Sequence, residues 1–499
     1  MLEQKLYKYF GFATFRPGQK DVVLSLLSGK DTLAMLPTGT GKSLCFQLPG
    51  YLMEGSVVIV SPLLSLMQDQ VEQLKKRGEK RVVAINSFLS PAEKKEALLR
   101  LQQYKFIFLS PEMLTMPYII DRLNEIEVCL LAIDEAHCIS QWGYDFRPDY
   151  LKLGEFRSRL GNPLTLALTA TATAEVREDI ANKLRLNNHA KIISSIDRPN
   201  ISFHIERLVD SPQKDRRILE LVKTLKRPGI IYFSSKRAAE QIAELLRING
   251  HSRTMPYHGG MEQEQRVLIQ QQFLNGQLDI ICATSAFGMG VDKEDIRFVI
   301  HYHMPMQIES YLQEIGRAGR DGRASLAILL YANGDEILQY SLAEGELPSV
   351  EQVDAFFSFL NRHKLKTNDR GSLEQAREAG GFSDNQWRWF SDYLNGMGKE
   401  QLPAKGEEIN RYIAGRNRIK INQIRKMKNI IEHDGCIRNA FLDYFEEPHL
   451  ETRRKTCCDA CGLSLTDFLV ELGQKEKAEA GHDWKRHLSY LLLGEGYEK

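Results

Sequence analysis

Along the first 205 residues, short apolar runs recur between longer polar and amphipathic stretches: TLAML at 32–36, SVVIV at 56–60, FIFLS at 106–110 and CLLAID at 129–134. Apolar runs of this kind, separated by segments long enough for a helix, predict buried strands of a parallel sheet. A second set begins near residue 206, with GIIYFS at 229–234, DIICATS at 279–285, RFVIHY at 297–302 and SLAILLY at 325–331. Two α/β lobes in series are therefore predicted. Beyond about residue 340 the runs stop, and amphipathic patterns such as INQIRKMKNIIEH at 421–433 predict a smaller, mainly helical module. The expected division is a first lobe over 1–205, a second over 206–340, a helical module over 341–465 and a short charged tail over 466–499.

The length of 499 residues agrees with two to four domains of roughly 100 to 200 residues each. At 26% charged and 43% hydrophobic, the composition is that of a globular chain and excludes disordered or collagen-like classes. Lys plus Arg (66) nearly cancels Asp plus Glu (65), so any anionic polymer must be gripped by a local patch and not by overall charge. The opening MLEQKLYKYFGF lacks the features of a secretory signal, and no stretch approaches about 18 uninterrupted apolar residues, so a cytoplasmic protein without a membrane span is expected. Cys45, Cys129, Cys138 and Cys282 are scattered, whereas Cys436, Cys457, Cys458 and Cys461 crowd the last part of the chain. In a reducing compartment that crowding points to a metal and not to disulfides.

The segment LPTGTGKS at 36–43 follows a strand and should open a helix, setting backbone N–H groups around phosphate. Lys42 would meet the terminal phosphates and Ser43 the Mg²⁺, while Gly39 and Gly41 let the backbone approach the ligand. The strict pattern has glycine where this chain has Leu36. Asp134-Glu135-Ala136-His137 directly follows the strand CLLAI, where a carboxylate is well placed for ligand work. Asp134 can hold magnesium, and Glu135 can orient or activate water. Taken singly, each segment also reads as an ordinary strand-to-helix turn; together they make two halves of a nucleotide site.

The run HCISQWGYDFRPDY at 137–150 gathers Trp142, Tyr144, Phe146 and Tyr150 with Arg147 beside the acidic pair. Such aromatics suit base stacking, worth about 1–3 kcal/mol per base, with the capping of a small core as the alternative. In the second lobe, Arg317 and Arg320 of QEIGRAGRD stand three residues apart and can share a helix face. If the lobes close, one of them can reach the γ-phosphate, an effect of about 10³ to 10⁵ in rate; a solvated face is the alternative. ATSAFGMGVD at 283–292 mixes glycine and small residues after a strand, consistent with close backbone approach to phosphate or sugar.

Read in order, FRPGQ (15–19), PTGTGKS (37–43), SPLLSLMQDQ (61–70), DEAH (134–137), the aromatic loop, LTATAT (168–173), YHGGM (257–261), FGMGVD (287–292) and QEIGRAGRDG (313–322) resemble superfamily 2 helicases. The aromatic loop and FRPGQ narrow the resemblance to the RecQ family of 3′-to-5′ DNA helicases, over roughly residues 5 to 462. The adjacent cysteines and short tail look most similar to the short RecS-like form of Gram-positive bacteria. This resemblance implies two tandem RecA-like parallel-sheet lobes followed by a mainly helical zinc-binding module. It implies an ATP-hydrolysing, Mg²⁺-dependent enzyme that translocates on single-stranded DNA and unwinds duplexes in repair and recombination. By the same resemblance Phe12, Arg16 and Gln19 would contact adenine. Thr38, Gly39, Thr40, Gly41, Lys42, Ser43 and Leu44 would surround the phosphates, with Gly290 and Asp292 reaching the nucleotide from the second lobe. Asp134 and Glu135 would form the hydrolytic machinery, Arg320 the arginine finger and Arg317 its support. Gln141, Trp142, Phe146, Arg147, Thr169, Thr171, Ser234, His258 and Thr284 would contact DNA, the aromatic loop coupling its occupancy to hydrolysis.

Members of this family place a four-cysteine zinc site after the second lobe, with three ligands at Cys-x-x-Cys-x-x-Cys spacing. Here Lys455 stands where the first of those three is expected, and Cys457 adjoins Cys458. Zn²⁺ on Cys436, Cys457, Cys458 and Cys461 is expected, although adjacent co-ligands demand an unusual turn. Buried free thiols, or His433 or His449 as substitute ligands, are the alternatives. Longer members carry a winged helix and often a further helical module, which the 38 residues after Cys461 cannot encode, so weaker unwinding or a partner-supplied wedge is expected. The competing functions are an ATP-gated DNA-binding, translocating or strand-annealing protein with little unwinding, and an RNA remodeller, which the aromatic loop and cysteine module disfavour. Single-stranded and partly duplex DNA is the expected partner, alongside a single-stranded-DNA-binding protein or other repair factors.

Overall fold

In the computed structural model, which describes residues 1–62, 64–87, 89–140, 147–288, 293–363, 370–396, 402–449 and 456–470, the apolar runs become the central strands of two parallel sheets. The first sheet holds β1 (Thr32–Met35), β2 (Ser56–Val60), β3 (Val82–Ile85), β4 (Phe106–Leu109), β5 (Val128–Ile133), β6 (Thr165–Thr169) and β7 (Ala190–Ile193) in the order β3-β4-β2-β5-β6-β1-β7. The second holds β8 (Ile201–Leu208), β9 (Gly229–Tyr232), β10 (Thr254–Tyr257), β11 (Ile280–Ala283), β12 (Phe298–His301) and β13 (Ser325–Ala332) in the order β10-β11-β9-β12-β13-β8. Helices cover both faces, so the central strands are mostly apolar and almost wholly buried. The edge strands β7, β8 and β10 keep partly exposed positions and do not stand out as apolar runs; β3 (VVAI) and the central, fully buried β6 (TLALT) are further strands not among the predicted runs.

The lobe boundary expected at 205/206 is corrected by β8, which pairs with β13 over its whole length from Ile201 to Leu208 and so belongs entirely to the second sheet. The boundary expected at 340/341 falls inside the helix Asp335–Glu346. The tail expected from residue 466 is not free at its start. Phe468 is buried in the second lobe's core, Leu469 bridges to Leu225, and the Lys226 ammonium donates to the Asp467 carbonyl at 2.9 Å.

The helical module has a core of its own around Phe356, Phe382 and Phe390. Its long helix Leu402–Ile431 packs on Asp335–Glu346 and Val350–Arg362, then leads to the helix Ile437–Tyr444. Among the described residues no helix is long and apolar enough to cross a membrane.

Candidate active site

Between β1 and the helix Leu44–Leu52, residues 37–43 form a turn that needs glycine at two points. Gly39 and Gly41 take positive φ (87° and 73°), and a Cβ on Gly39 would stand 3.0 Å from Arg320 Cγ and 3.3 Å from Arg198 Nη1. Gln19, buried, donates to the carbonyls of Thr40 (2.7 Å) and Gly41 (3.1 Å), and its Oε1 accepts from the Arg16 N–H at 2.8 Å. The Arg16 guanidinium donates to the Gly39 carbonyl. FRPGQ thus braces the turn. Ser43 Oγ accepts from Gln70 Nε2 at 2.7 Å, and Gln70 Oε1 accepts from Gln47 at 3.2 Å. Gln70 lies within SPLLSLMQDQ, yet nothing in that string marks it as the partner of Ser43.

Asp134 directly follows β5, its N–H donating to the Val60 carbonyl at 2.8 Å, and its carbonyl accepts the Tyr150 hydroxyl at 3.0 Å. Burial, then the neighbouring Glu135 charge, push its carboxyl up to about 7, with Lys42 opposing. Glu135 sits at φ 47°, a strained conformation for a side-chain-bearing residue, and is held with one carboxylate oxygen buried and free of hydrogen bonds. His137 Nδ1 lies 3.4 Å from that oxygen and 3.0 Å from the Thr169 hydroxyl.

A cavity of about 390 Å³ joins these groups across the two lobes. Its wall includes Phe12, Arg16, Gln19, Lys42, Ser43, Asp134 and Glu135 from the first lobe, and Gly288, Arg317 and Arg320 from the second. Thr38, Gly39, Thr40, Gly41 and Leu44 also line it. Arg317 is buried and donates to the Gly288 carbonyl. Arg198, which the sequence reading passed over, donates Nη1 to Thr38 (2.9 Å) and Gly316 (3.0 Å) and Nη2 to Ala318 (3.2 Å) and Gly319 (2.8 Å). It therefore ties the phosphate turn to the Gly-Arg segment.

Gly290 and Asp292, like Gln141, Trp142 and Phe146, lie outside the described residues. Of the remaining DNA-contact expectations, Thr169 is fully buried, and its hydroxyl donates to the Thr171 carbonyl at 3.1 Å. Thr171 and His258 are also buried, with His258 Nε2 2.8 Å from Glu240. The Arg147 guanidinium donates to the Pro62 carbonyl at 2.6 Å, and Ser234 Oγ accepts from Gln339 at 2.9 Å. Thr284 remains partly exposed at the end of β11.

The four clustered cysteines come together, every Sγ within 4.8 Å of the others. Cys436 Sγ is 3.5 Å from Cys457 and 3.9 Å from Cys458, close to the ~3.8 Å that a tetrahedron of ~2.3 Å Zn–S bonds requires. Adjacency is solved by extended backbone at Cys458 (φ −154°, ψ 171°) followed by the tight turn Asp459–Cys461 and a left-handed Gly462. Burial and the neighbouring thiols push Cys457 up to about 11 and also raise Cys461, a balance that a divalent cation would reverse. Neither His433 nor His449 joins the cluster; His449 pairs with Asp443 instead.

Residues 16–180 match the DEAD/DEAH box helicase family and residues 213–322 the helicase conserved C-terminal domain. The chain is 45% identical to the probable ATP-dependent DNA helicase RecS of Bacillus subtilis, covering 98% of each chain. It is 43% identical to the ATP-dependent DNA helicase RecQ of the same organism, over 68% of this chain and 57% of that one. Among solved structures it is similar to Mycobacterium smegmatis helicase Lhr bound to ssDNA and AMP-PNP (TM-score 0.55, 21% identity, 76% of this chain and 55% of that one). It is also similar to the DEAD-box helicase Mss116 bound to ssRNA and UDP-BeF (TM-score 0.56, 17% identity, 85% and 90%). At these identities the likeness to solved structures speaks for the fold of the two lobes alone.

Proposed function

The chain belongs to the RecQ family of ATP-dependent DNA helicases, in the short form represented by RecS, and we propose that it moves 3′ to 5′ along single-stranded DNA and unwinds duplexes during repair and recombination. The observation that carries this reading is the meeting around one cavity of Lys42, Asp134 and Glu135 from one lobe with Arg317 and Arg320 from the other. Such a site is complete only while the lobes are apposed, so hydrolysis is tied to their relative movement.

In this reading the turn at 38–43 receives the phosphates of ATP and Lys42 meets the terminal ones. Glu135, with one oxygen free, orients the attacking water and takes its proton. Arg320 neutralises the charge that develops as the bond to the γ-phosphoryl group breaks, and Arg317 holds the loop at Gly288 beside it. Phe12, Arg16 and Gln19 receive adenine at the rim. Mg²⁺ on Ser43 and Asp134 would supply further charge neutralisation, and Zn²⁺ on the four cysteines would supply a structural cross-link. Each base-pair step opposes separation by about 1.4 kcal/mol of stacking, so lobe closure must be coupled to the grip on one strand. Trp142, Phe146 and Arg147, beside the acidic pair in sequence, are the proposed coupling contacts. A cytoplasmic location and repair-factor partners complete the proposal.

The test is strand separation of a 3′-tailed duplex beside a 5′-tailed control and a Lys42→Ala variant. Separation of the 3′-tailed substrate alone, lost in the variant, is expected. DNA-stimulated hydrolysis without separation would overturn unwinding in favour of translocation or annealing.

A further inference from the structure

Charge in this protein is nearly balanced overall but not along the helix Leu402–Ile431. Residues 409–431 contain seven Arg or Lys and no Asp or Glu; the run is bounded by Glu407 and Glu408 before it and Glu432 after it. The inward face is apolar, with Ile409, Ile413, Ile424 and Met427 buried. Two of the seven cations fasten the helix to its neighbour: Lys420 pairs with Glu346, and Lys428 with Glu336 at 2.6 Å. Arg411, Arg418 and Arg425 face outward, all three exposed and without an ion pair among the described residues. Their seven-residue spacing puts them on one side of the helix, at intervals of about 10 Å along some 20 Å of rigid rod. Asn422 and Asn429, also exposed, add neutral donors to the same side.

We propose that this Arg411–Arg418–Arg425 face is a binding surface for the sugar–phosphate backbone of duplex DNA, carried rigidly on the second lobe. The proposal rests on the helicase reading for its biological setting but not for its chemistry. A straight row of guanidiniums and amides matches a stiff partner carrying one negative charge per ~1.7 Å of axis. A single strand is gripped differently, by aromatic faces that stack on its bases. The aromatics nearest the row are already engaged: Tyr412 stacks with Trp389 (5.7 Å, 22°) and packs on Tyr393 (5.0 Å). The helix Asp335–Glu346, to which the row is fastened, follows β13 directly and is tied back to it by the Tyr331 hydroxyl donating to Glu336 at 2.9 Å. A duplex held here moves with the second sheet when the lobes shift.

The test compares the full chain with two triple variants, Arg411→Gln/Arg418→Gln/Arg425→Gln and Arg411→Lys/Arg418→Lys/Arg425→Lys. Anisotropy is read on a blunt duplex and on oligo-dT across a salt series. For the Gln variant the expected result is an at least about tenfold loss of duplex affinity, with the salt slope falling by about 0.9 for each contact removed. Oligo-dT affinity and oligo-dT-stimulated ATP hydrolysis should stay at the parent level, and the Lys variant should keep the duplex slope. An unchanged duplex slope in the Gln variant, or equal losses on duplex and oligo-dT, would overturn the proposal. Failure of DNA to stimulate hydrolysis in the parent protein would instead count against the helicase reading, and the duplex comparison would still decide this surface.

Discussion

Arg198 spends its guanidinium on main-chain carbonyls from both lobes, so its side chain fixes how far the phosphate turn lies from the Gly-Arg segment. Burial, then the nearby guanidiniums of Arg320 and Arg16, lower its pKa to about 10. The phosphates of ATP, received at the same turn, would offset the mutual repulsion of these three guanidiniums. Arg198→Ala should therefore cut the turnover rate for ATP by about tenfold, or ~1.4 kcal/mol, through misplacement of Arg320. Measured in an Arg320→Ala background, the same substitution should have no further effect. Equal losses in both backgrounds would make Arg198 a packing residue only. Lys42, Asp134, Glu135 and Arg320 are legible in the sequence because their chemistry depends on a local turn. Gln70 and Arg198 are not, since the Gln70 partner lies 27 residues away and those of Arg198 lie 118 to 160 residues away, all common hydroxyl or carbonyl groups. Thr169 shows the converse: its string is legible, but the fold turns its hydroxyl inward.

Most central strands announce themselves as apolar runs, but β6, buried throughout, is bracketed by threonines at 165 and 169 and does not, and β8, half exposed beyond Phe203, hides the lobe boundary. The segment after Cys461 is hidden for a related reason: its anchors Leu463, Leu465 and the pair Phe468-Leu469 are interrupted by Ser464, Thr466 and Asp467 and make no apolar run. Phe468 distinguishes a docked segment from a free tail. Its replacement by alanine should cost about 3–5 kcal/mol in chemical denaturation, the usual range for a buried phenylalanine left as a cavity. A loss within about 0.5 kcal/mol would mean that the segment is not held on the second sheet in solution.

At the scale of the whole molecule, the two lobes are joined through residues 194–200, and the helical module grips that connection from outside. Arg438, buried, donates to the Asp197 carboxylate and to the Arg198 and Ile201 carbonyls. Glu447 accepts from the Ser195 hydroxyl (2.5 Å) and the Ile196 N–H (3.0 Å). Arg438 stands two residues after Cys436, and the Phe203 N–H donates to the Cys457 carbonyl at 3.1 Å, so the cysteine cluster flanks the joint on both of its chain segments. Contact then runs from the cluster through Arg438 and Arg198 to the carbonyl of Thr38. A metal on four thiolates contributes free energy on the order of 10 kcal/mol in small zinc peptides, enough to hold such a chain of contacts in register. Chelation should therefore release one zinc per chain and raise amide hydrogen exchange at 195–201 together with 456–462. The central strands β1, β2, β9 and β12, buried on both faces, should keep their protection at the same temperature. If the metal leaves and exchange at 195–201 stays at its original rate, Arg438 and Glu447 hold the joint without help from the cluster, and the metal's influence ends within the cysteine turn.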